Sequence, residues 1–188
     1  MKGSIVNLRS RLRALSLTAA GALVLLGLTA CSTVVRAPTP ALTANARWAV
    51  LPIANDTETP LAGNRAAAIV EAVLRARGVG QLERAPLMPT VDALFDPSAS
   101  VPLAQSLAWA RTAGVRYALT GTVTEWRYKV GVDGEPAVGL TLQLIDVGSD
   151  QVLWSASGSR SGWSRQSLSG TAQQLIEELA RPLAAAGS

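Results

Sequence analysis

Histidine is absent from this chain of 188 residues, and cysteine occurs once, at position 31. Without imidazole and with a single thiol, the usual nucleophile–base pairs and zinc sites lack their ligands, and no disulfide can form within the chain. A carbohydrate hydrolase with paired carboxylates is the remaining enzymatic alternative, but no Asp/Glu pair stands in a recognisable catalytic frame. The sequence therefore predicts a protein that is not an enzyme and that holds no metal or cofactor.

The chain from Cys31 onward also has no net charge. The chain has 17 basic and 13 acidic side chains, and four of the basic ones precede the single cysteine. Taking these four from 17 leaves 13 basic against 13 acidic side chains, so the remainder is neutral. A neutral domain gives no basic patch for a phosphate backbone. We therefore expect no nucleic-acid partner.

The first 30 residues have the order of a secretory signal. The four cations are followed by an apolar run over 15–26 and by the small residues of Leu-Thr-Ala-Cys, which ends at Cys31. The run is shorter than the roughly 20 apolar residues of a membrane span. This ending resembles the lipobox of bacterial lipoproteins, whose cysteine carries the lipid, and Ser32 after it resembles their outer-membrane sorting signal. We expect a signal peptide over 1–30 and a lipid anchor at Cys31 on the periplasmic face of the outer membrane.

The rest of the chain divides into a tether and one domain. Residues 31–46 contain prolines and small residues without periodicity, which predicts a flexible tether of about 20 Å. Residues 47–188 predict an α/β domain with a mixed sheet and helices on its faces. The last three strands have short connections and predict an antiparallel meander. The predicted order is a strand at 48–53, a helix begun by Thr59-Pro60 and ended by Gly78, a weak strand at 79–83, a helix at 100–113, strands at 116–130, 138–145 and 152–161, and a helix at 168–183.

Four segments of this domain carry a resemblance to a known family. They are 48–52 (WAVLP), 120–129 (TGTVTEWRYK), 133–138 (DGEPAV) and 161–164 (SGWS), and together they resemble the PelC family, the outer-membrane lipoproteins of the Pel exopolysaccharide export system. A looser likeness extends to lipoproteins of the CsgG and LpoB kind.

The resemblance to PelC implies a non-catalytic, homo-oligomeric ring, a dodecamer, that guides a cationic polysaccharide to a PelB-like outer-membrane porin. The alternative is an LpoB-like activator of a cell-wall synthase. That alternative predicts a tether long enough to cross the peptidoglycan layer, and the tether here is short.

Trp163 is a candidate membrane contact. It stands at a predicted strand–helix corner beside Gly162, with Arg160 and Arg165 nearby. A tryptophan flanked by cations suits the headgroup zone of a bilayer, and the alternative is a tryptophan folded back over the core. In the PelC family the tryptophan at this corner resembles a membrane-inserting residue, which favours the first interpretation.

Asp133 and Glu135 are candidate polysaccharide-guiding residues. They bracket a predicted turn, and most Asp-Gly pairs of this kind are solvated hairpin tips. In a ring, however, one acidic loop repeats in every subunit and becomes a ring of carboxylates that attracts cations. Asp56 and Glu58 form a second, weaker candidate.

The other tryptophans are predicted to be core or subunit-interface anchors rather than a sugar-stacking platform. They are Trp48, Trp109, Trp126 and Trp154. The serines at alternating positions of the last strand predict a face that is solvated or that meets a neighbouring subunit. They are Ser155, Ser157, Ser159 and Ser161.

Overall fold

The computed structural model describes residues 32–38, 40–87, 101–131, 134–163 and 165–186. The signal segment, Cys31 and Asp133 lie outside these residues. Within the described part, the chain forms six strands and three α-helices. The predicted α/β class is confirmed.

All six strands belong to one mixed sheet. In chain order they are β1 (Ser32–Arg36), β2 (Trp48–Asn55), β3 (Leu82–Arg84), β4 (Tyr117–Tyr128), β5 (Pro136–Asp146) and β6 (Gln151–Ser161). Their order across the sheet is β1-β6-β5-β4-β2-β3. β2 runs parallel to β3 and β4, whereas β4, β5, β6 and β1 are antiparallel in turn. The predicted meander of the last three long strands is confirmed.

Two helices cover one face of the sheet and a third covers part of the other. Helices α1 (Ala62–Ala76) and α3 (Leu168–Leu179) pack over the main core, which includes the buried leucines of β5. Helix α2 (Leu103–Thr112) closes a smaller core on the opposite face through Leu107 and Ala110. A short 3-10 helix (Arg181–Ala186) follows α3. Because successive side chains of a strand point to opposite faces of the sheet, the strands contribute to two cores of unequal size.

The flexible tether expected before the domain is wrong for this chain. Ser32–Arg36 forms β1 and pairs with β6 over five residues. The following segment also lies on the domain, because the Thr43 N–H donates to the Tyr117 hydroxyl over 3.0 Å and Leu42 packs against the core. Thr33, Val34 and Val35 are β-branched residues, which favour strands, and the distant strand β6 supplies the backbone partner that they need. The domain thus begins at Ser32.

The ends of the helices follow the sequence signals unevenly. Gly78, with φ of +90°, ends α1 as predicted, since a left-handed residue suits glycine. Thr59 does not cap that helix; its hydroxyl donates to the Trp126 carbonyl. Leu61 precedes α1 instead, and its side chain makes no capping hydrogen bond. The predicted first residue of α2, Ser100, lies outside the described residues.

Candidate functional site

One end of the sheet gathers most of the predicted site residues. We call it the Ser32 end: there β1 begins, β6 ends at Ser161, and the β4–β5 hairpin projects. Ser32 is the register partner of Arg160, so the chain enters the domain beside the strand that leads to Trp163. Ser32, the residue that follows Cys31 in the sequence, therefore lies at this end of the sheet.

The corner after β6 holds Trp163 outside the core. Half of the residue is exposed, at 51%. The backbone N–H of Trp163 donates to the Gln166 side-chain oxygen over 3.0 Å, and the backbone carbonyl of Trp163 accepts from the Gln166 backbone N–H over 2.8 Å. These two hydrogen bonds fix the turn into α3. A Cβ on Gly162 would come within 2.4 Å of the Gln166 side-chain oxygen and 2.6 Å of the Thr171 hydroxyl, so a larger residue would displace these side chains. The corner is thus a fixed turn that presents an indole at the surface.

The two arginines near this corner differ in their surroundings. Arg160 turns toward α3, where it donates to the Gln174 side chain over 3.0 Å and lies 3.6 Å from the Glu178 carboxylate. Its side chain is only 20% exposed. Arg165 is exposed. Arg160 is therefore engaged within the domain, and Arg165 is the arginine beside Trp163 that is open to solvent.

The predicted turn between β4 and β5 is a hairpin at the same end of the sheet. Its base is closed by the Lys129 N–H, which donates to the Glu135 carbonyl over 2.7 Å. Gly134 has φ of +52°, a conformation that favours glycine. Glu135 is half-buried. The hairpin adjoins the tryptophan corner, because the Gly162 N–H donates to the Pro136 carbonyl over 2.8 Å.

The sheet also brings a third carboxylate to the weaker acidic pair. An open cleft of about 540 Å³ is lined by Asp56, Glu58 and Glu125, together with hydroxyl-bearing residues. Arg127 donates to Glu125 over 3.0 Å and offsets part of its charge. Glu125 is not among the site residues predicted from the sequence. Its signal was the alternation of β4, which sets Glu125 and Arg127 two residues apart on one face.

The tryptophans predicted as anchors are mostly core residues. Trp48, Trp126 and Trp154 are buried, with at most 4% of each exposed. Trp48 also meets Tyr117 edge to face, with ring centroids 5.4 Å apart. Trp109 is half-buried against the smaller core. The prediction of core anchors is confirmed for the first three, and stacking on a sugar is not available to these buried rings.

The sheet face beside α2 is open and rich in hydroxyl groups. Cross-strand rows on this face join Thr122, Thr141 and Ser157, and join Gln143 to Ser155. The side chains in these rows are uncharged, and the serines of β6 are exposed as predicted except for Ser161, which is half-buried. Such a face suits solvent or a flat, uncharged neighbouring surface.

In the part of the chain that the structure describes, no helix has the length and apolarity to span a bilayer. The same described residues contain no group of three or more His, Cys, Asp or Glu side chains that could hold a metal ion.

Comparison with known proteins relates the chain to solved structures. It is 45% identical to PelC from Paraburkholderia phytofirmans, described as a dodecamer, over 81% of this chain and 97% of that chain, with a TM-score of 0.68. A leucine-to-methionine variant of that dodecamer matches at 43% identity, with the same coverage and a TM-score of 0.70. The C-terminal domain of LpoB from Salmonella enterica is more distant, at 24% identity over 63% of this chain and 84% of that chain, with a TM-score of 0.42. No protein-family model and no curated protein matches.

Proposed function

This chain belongs to the PelC family, and on that premise we propose that it is a ring-forming lipoprotein of the Pel exopolysaccharide export system. In this proposal it sits on the periplasmic face of the outer membrane and guides a cationic polysaccharide to an outer-membrane porin. One observation carries the proposal: the match spans 97% of a PelC chain that assembles as a dodecamer. The whole described domain, rather than a shared fragment, is common to both proteins.

Self-association follows from the family. A closed ring of identical subunits uses two different surfaces of each subunit, because the contact is head-to-tail. The open hydroxyl-rich face of the sheet offers one uncharged surface of this kind. A dodecamer is the assembly that we propose for this chain.

Membrane attachment is supported by the geometry of the Ser32 end. A lipid on Cys31 would leave the domain one residue before β1, beside the strand that ends at the Trp163 corner. An exposed indole next to Arg165 suits the headgroup zone, where the ring is partly apolar and the guanidinium meets lipid phosphates. Because β1 replaces the expected tether, little chain separates the lipid from this surface. We assign membrane contact to Trp163 and Arg165, and a structural role to Arg160.

Attraction of the polymer is assigned to the acidic groups at the same end. Glu135 lies on the hairpin beside the tryptophan corner, so a ring would place one such carboxylate per subunit at its membrane-proximal mouth. Asp133, two residues earlier in the sequence, is the second carboxylate that we propose for this role. The cleft of Asp56, Glu58 and Glu125 adds negative charge on the same side of the domain. Rings of carboxylates concentrate cations without binding them tightly. Weak, repeated attraction of this kind would let a cationic polysaccharide pass without being held.

The proposal assigns no reaction to the chain. The cleft lined by Asp56, Glu58 and Glu125 is open, and the chain has no histidine to pair with a nucleophile. The LpoB-like alternative is disfavoured by β1, because an activator that reaches through peptidoglycan needs a long tether and this chain is already folded from Ser32.

Native mass spectrometry of the full chain, extracted from membranes in detergent, tests the assembly. We expect a single large species of twelve lipidated subunits, by analogy with the family's dodecamers. A monomer over the whole concentration range would contradict the ring. A smaller or larger ring would keep the family assignment and correct the subunit number.

A further inference from the structure

Two segments extend past Ser32 at this end of the sheet. A single cross-strand row joins Trp126, Val138, Arg160 and Ser32. From that row Trp163 is three residues further along the chain, and Val130 on the hairpin is four residues further. At about 3.3 Å per extended residue, these distances allow a reach of about 10 Å and about 13 Å. The hairpin is therefore long enough to reach as far as the corner.

The hairpin carries side chains that suit a lipid surface. Val130 is fully exposed, at 102%, more than any other large hydrophobic residue that the structure describes. The neighbouring Lys129 is also exposed and donates to the Ser161 hydroxyl over 2.7 Å, so its ammonium lies at the end of β6. An apolar side chain next to a cation matches the boundary between acyl chains and headgroups.

Tyr128 connects the hairpin to the tryptophan corner. Its hydroxyl accepts from the Leu168 N–H over 3.1 Å, which ties the base of the hairpin to the start of α3. Half of Tyr128 is exposed, as is half of Trp163. The hairpin, the tyrosine and the corner thus form one continuous surface, and tyrosine, like tryptophan, is enriched at membrane interfaces.

We propose that the hairpin is a second membrane contact of each subunit: Val130 enters the headgroup zone alongside Trp163, and Lys129 meets lipid phosphate. This inference rests on the proposed membrane attachment of the Ser32 end. Lipid is the occupant because the chain enters the domain at this end, directly after the position of the predicted lipid anchor, and because the exposed Val130 and Trp163 are apolar and the exposed Lys129 is cationic. Two contacts on separate segments fix the tilt of a subunit, which a single indole cannot do.

Site-directed fluorescence on the full-length, membrane-extracted protein tests the inference. With Cys31 acylated, Val130→Cys supplies the only free thiol for an environment-sensitive probe. Trp163→Cys labels the corner, and Val152→Cys is the matched control, since Val152 is 52% exposed at the opposite end of β6. Each labelled protein is reconstituted into phosphatidylglycerol-containing vesicles with a nitroxide-bearing lipid, and unsubstituted protein controls for labelling of Cys31.

We expect a blue shift and strong quenching for probes at positions 130 and 163 and neither effect at position 152. Quenching at 163 without quenching at 130 overturns the hairpin contact and leaves the membrane face intact. Absence of quenching at both positions overturns the membrane face itself. A blue shift at 130 in detergent, unchanged by vesicles, also overturns the inference, because the hairpin is then covered by a neighbouring subunit.

Discussion

Ser32 and Arg160 are register partners across the antiparallel pair of β1 and β6. This pairing puts the first described residue of the chain next to the strand end that leads to Trp163. A lipid on Cys31 and the exposed indole would therefore approach the bilayer from the same end of one rigid sheet. The orientation of the domain then follows from hydrogen bonds within the sheet rather than from the length of a tether.

Replacing Cys31 with serine is expected to abolish lipidation, because the thiol is the group that takes the lipid. The variant should leave the membrane fraction, and its mass should lack the acyl chains. Several acyl chains anchor a protein firmly, whereas one gives only marginal binding. Membrane fractionation and intact-mass measurement check this. Unchanged mass and fractionation would contradict the lipobox interpretation.

Trp163→Ala is expected to weaken vesicle binding of the unlipidated Cys31→Ser protein with little loss of stability. Burying an apolar side chain contributes about 1.5–3 kcal/mol, and a ring repeats the contact in every subunit. Vesicle flotation should show binding at least about tenfold weaker, since 1.4 kcal/mol is a factor of ten. Val152→Ala, equally exposed at the opposite end, is the control and should bind normally. Unfolding of Trp163→Ala with binding retained by its folded fraction would mean that the indole supports the core.

Removing the hairpin carboxylates is expected to reduce polymer export without affecting assembly. The double variant Asp133→Asn and Glu135→Gln keeps side-chain size and removes the charge that attracts a cationic polymer. Asp150→Asn removes a carboxylate at the other end of the sheet, where Asp150 pairs with Arg111, and should export normally. Surface-exposed polymer is the readout, with native mass spectrometry to check the ring. Normal export by the double variant contradicts the guiding role, and a broken ring would assign the hairpin to the interface.

The pairing of β1 can be tested by charges on its two faces. Val34 packs against the main core above Gly158, where a Cβ would come within 3.0 Å of the Val34 methyl group. Val34→Asp should cost about 1–3 kcal/mol, because it buries an unpaired polar group. Val35→Asp, on the open face at 71% exposure, should change stability little. Thermal melting compares them; equal melting temperatures would show that β1 contributes no packing.

Gly63→Ala is expected to destabilise the domain strongly. A Cβ on this residue of α1 would lie 2.0 Å from the Ile53 carbonyl oxygen of β2, so the helix has to move away from the sheet. Overpacking of this kind costs about 1–3 kcal/mol or more. Gly80→Ala, whose Cβ meets nothing within 4 Å, is the matched control. Similar denaturation midpoints for the two variants would contradict the close helix–sheet contact.

The order of the long strands and helices was predictable because each shows its own local periodicity of apolar residues. Strands β4, β5 and β6 alternate with period two, and α1 and α3 carry apolar stripes with helical spacing. The first strand was not predictable in this way. Ser32–Arg36 has five residues and no local partner, and its stability comes from hydrogen bonds to a strand 120 to 128 residues away. A short window of sequence does not reveal which distant strand a segment will pair with.

The site was predictable only in part, because some of its features follow from local sequence and others depend on non-local pairing. The exposure of Trp163 follows from its position at a corner, but Arg160 was grouped with it by proximity in sequence. Alternation along β6 sets Arg160 in phase with the buried Trp154 and Ala156, on the face that α3 covers. That signal was available. The meeting of Asp56 with Glu125, by contrast, depends on the parallel pairing of β2 and β4.

The most direct test of the proposed role measures cationic exopolysaccharide in a strain that lacks this chain. The account predicts that polymer is still synthesised but is retained inside the cell envelope and lost from the surface. The unsubstituted gene should restore surface polymer, and Cys31→Ser should not. Unchanged surface polymer, accompanied by a fall in cell-wall synthase activity, would contradict the account and favour the LpoB-like alternative.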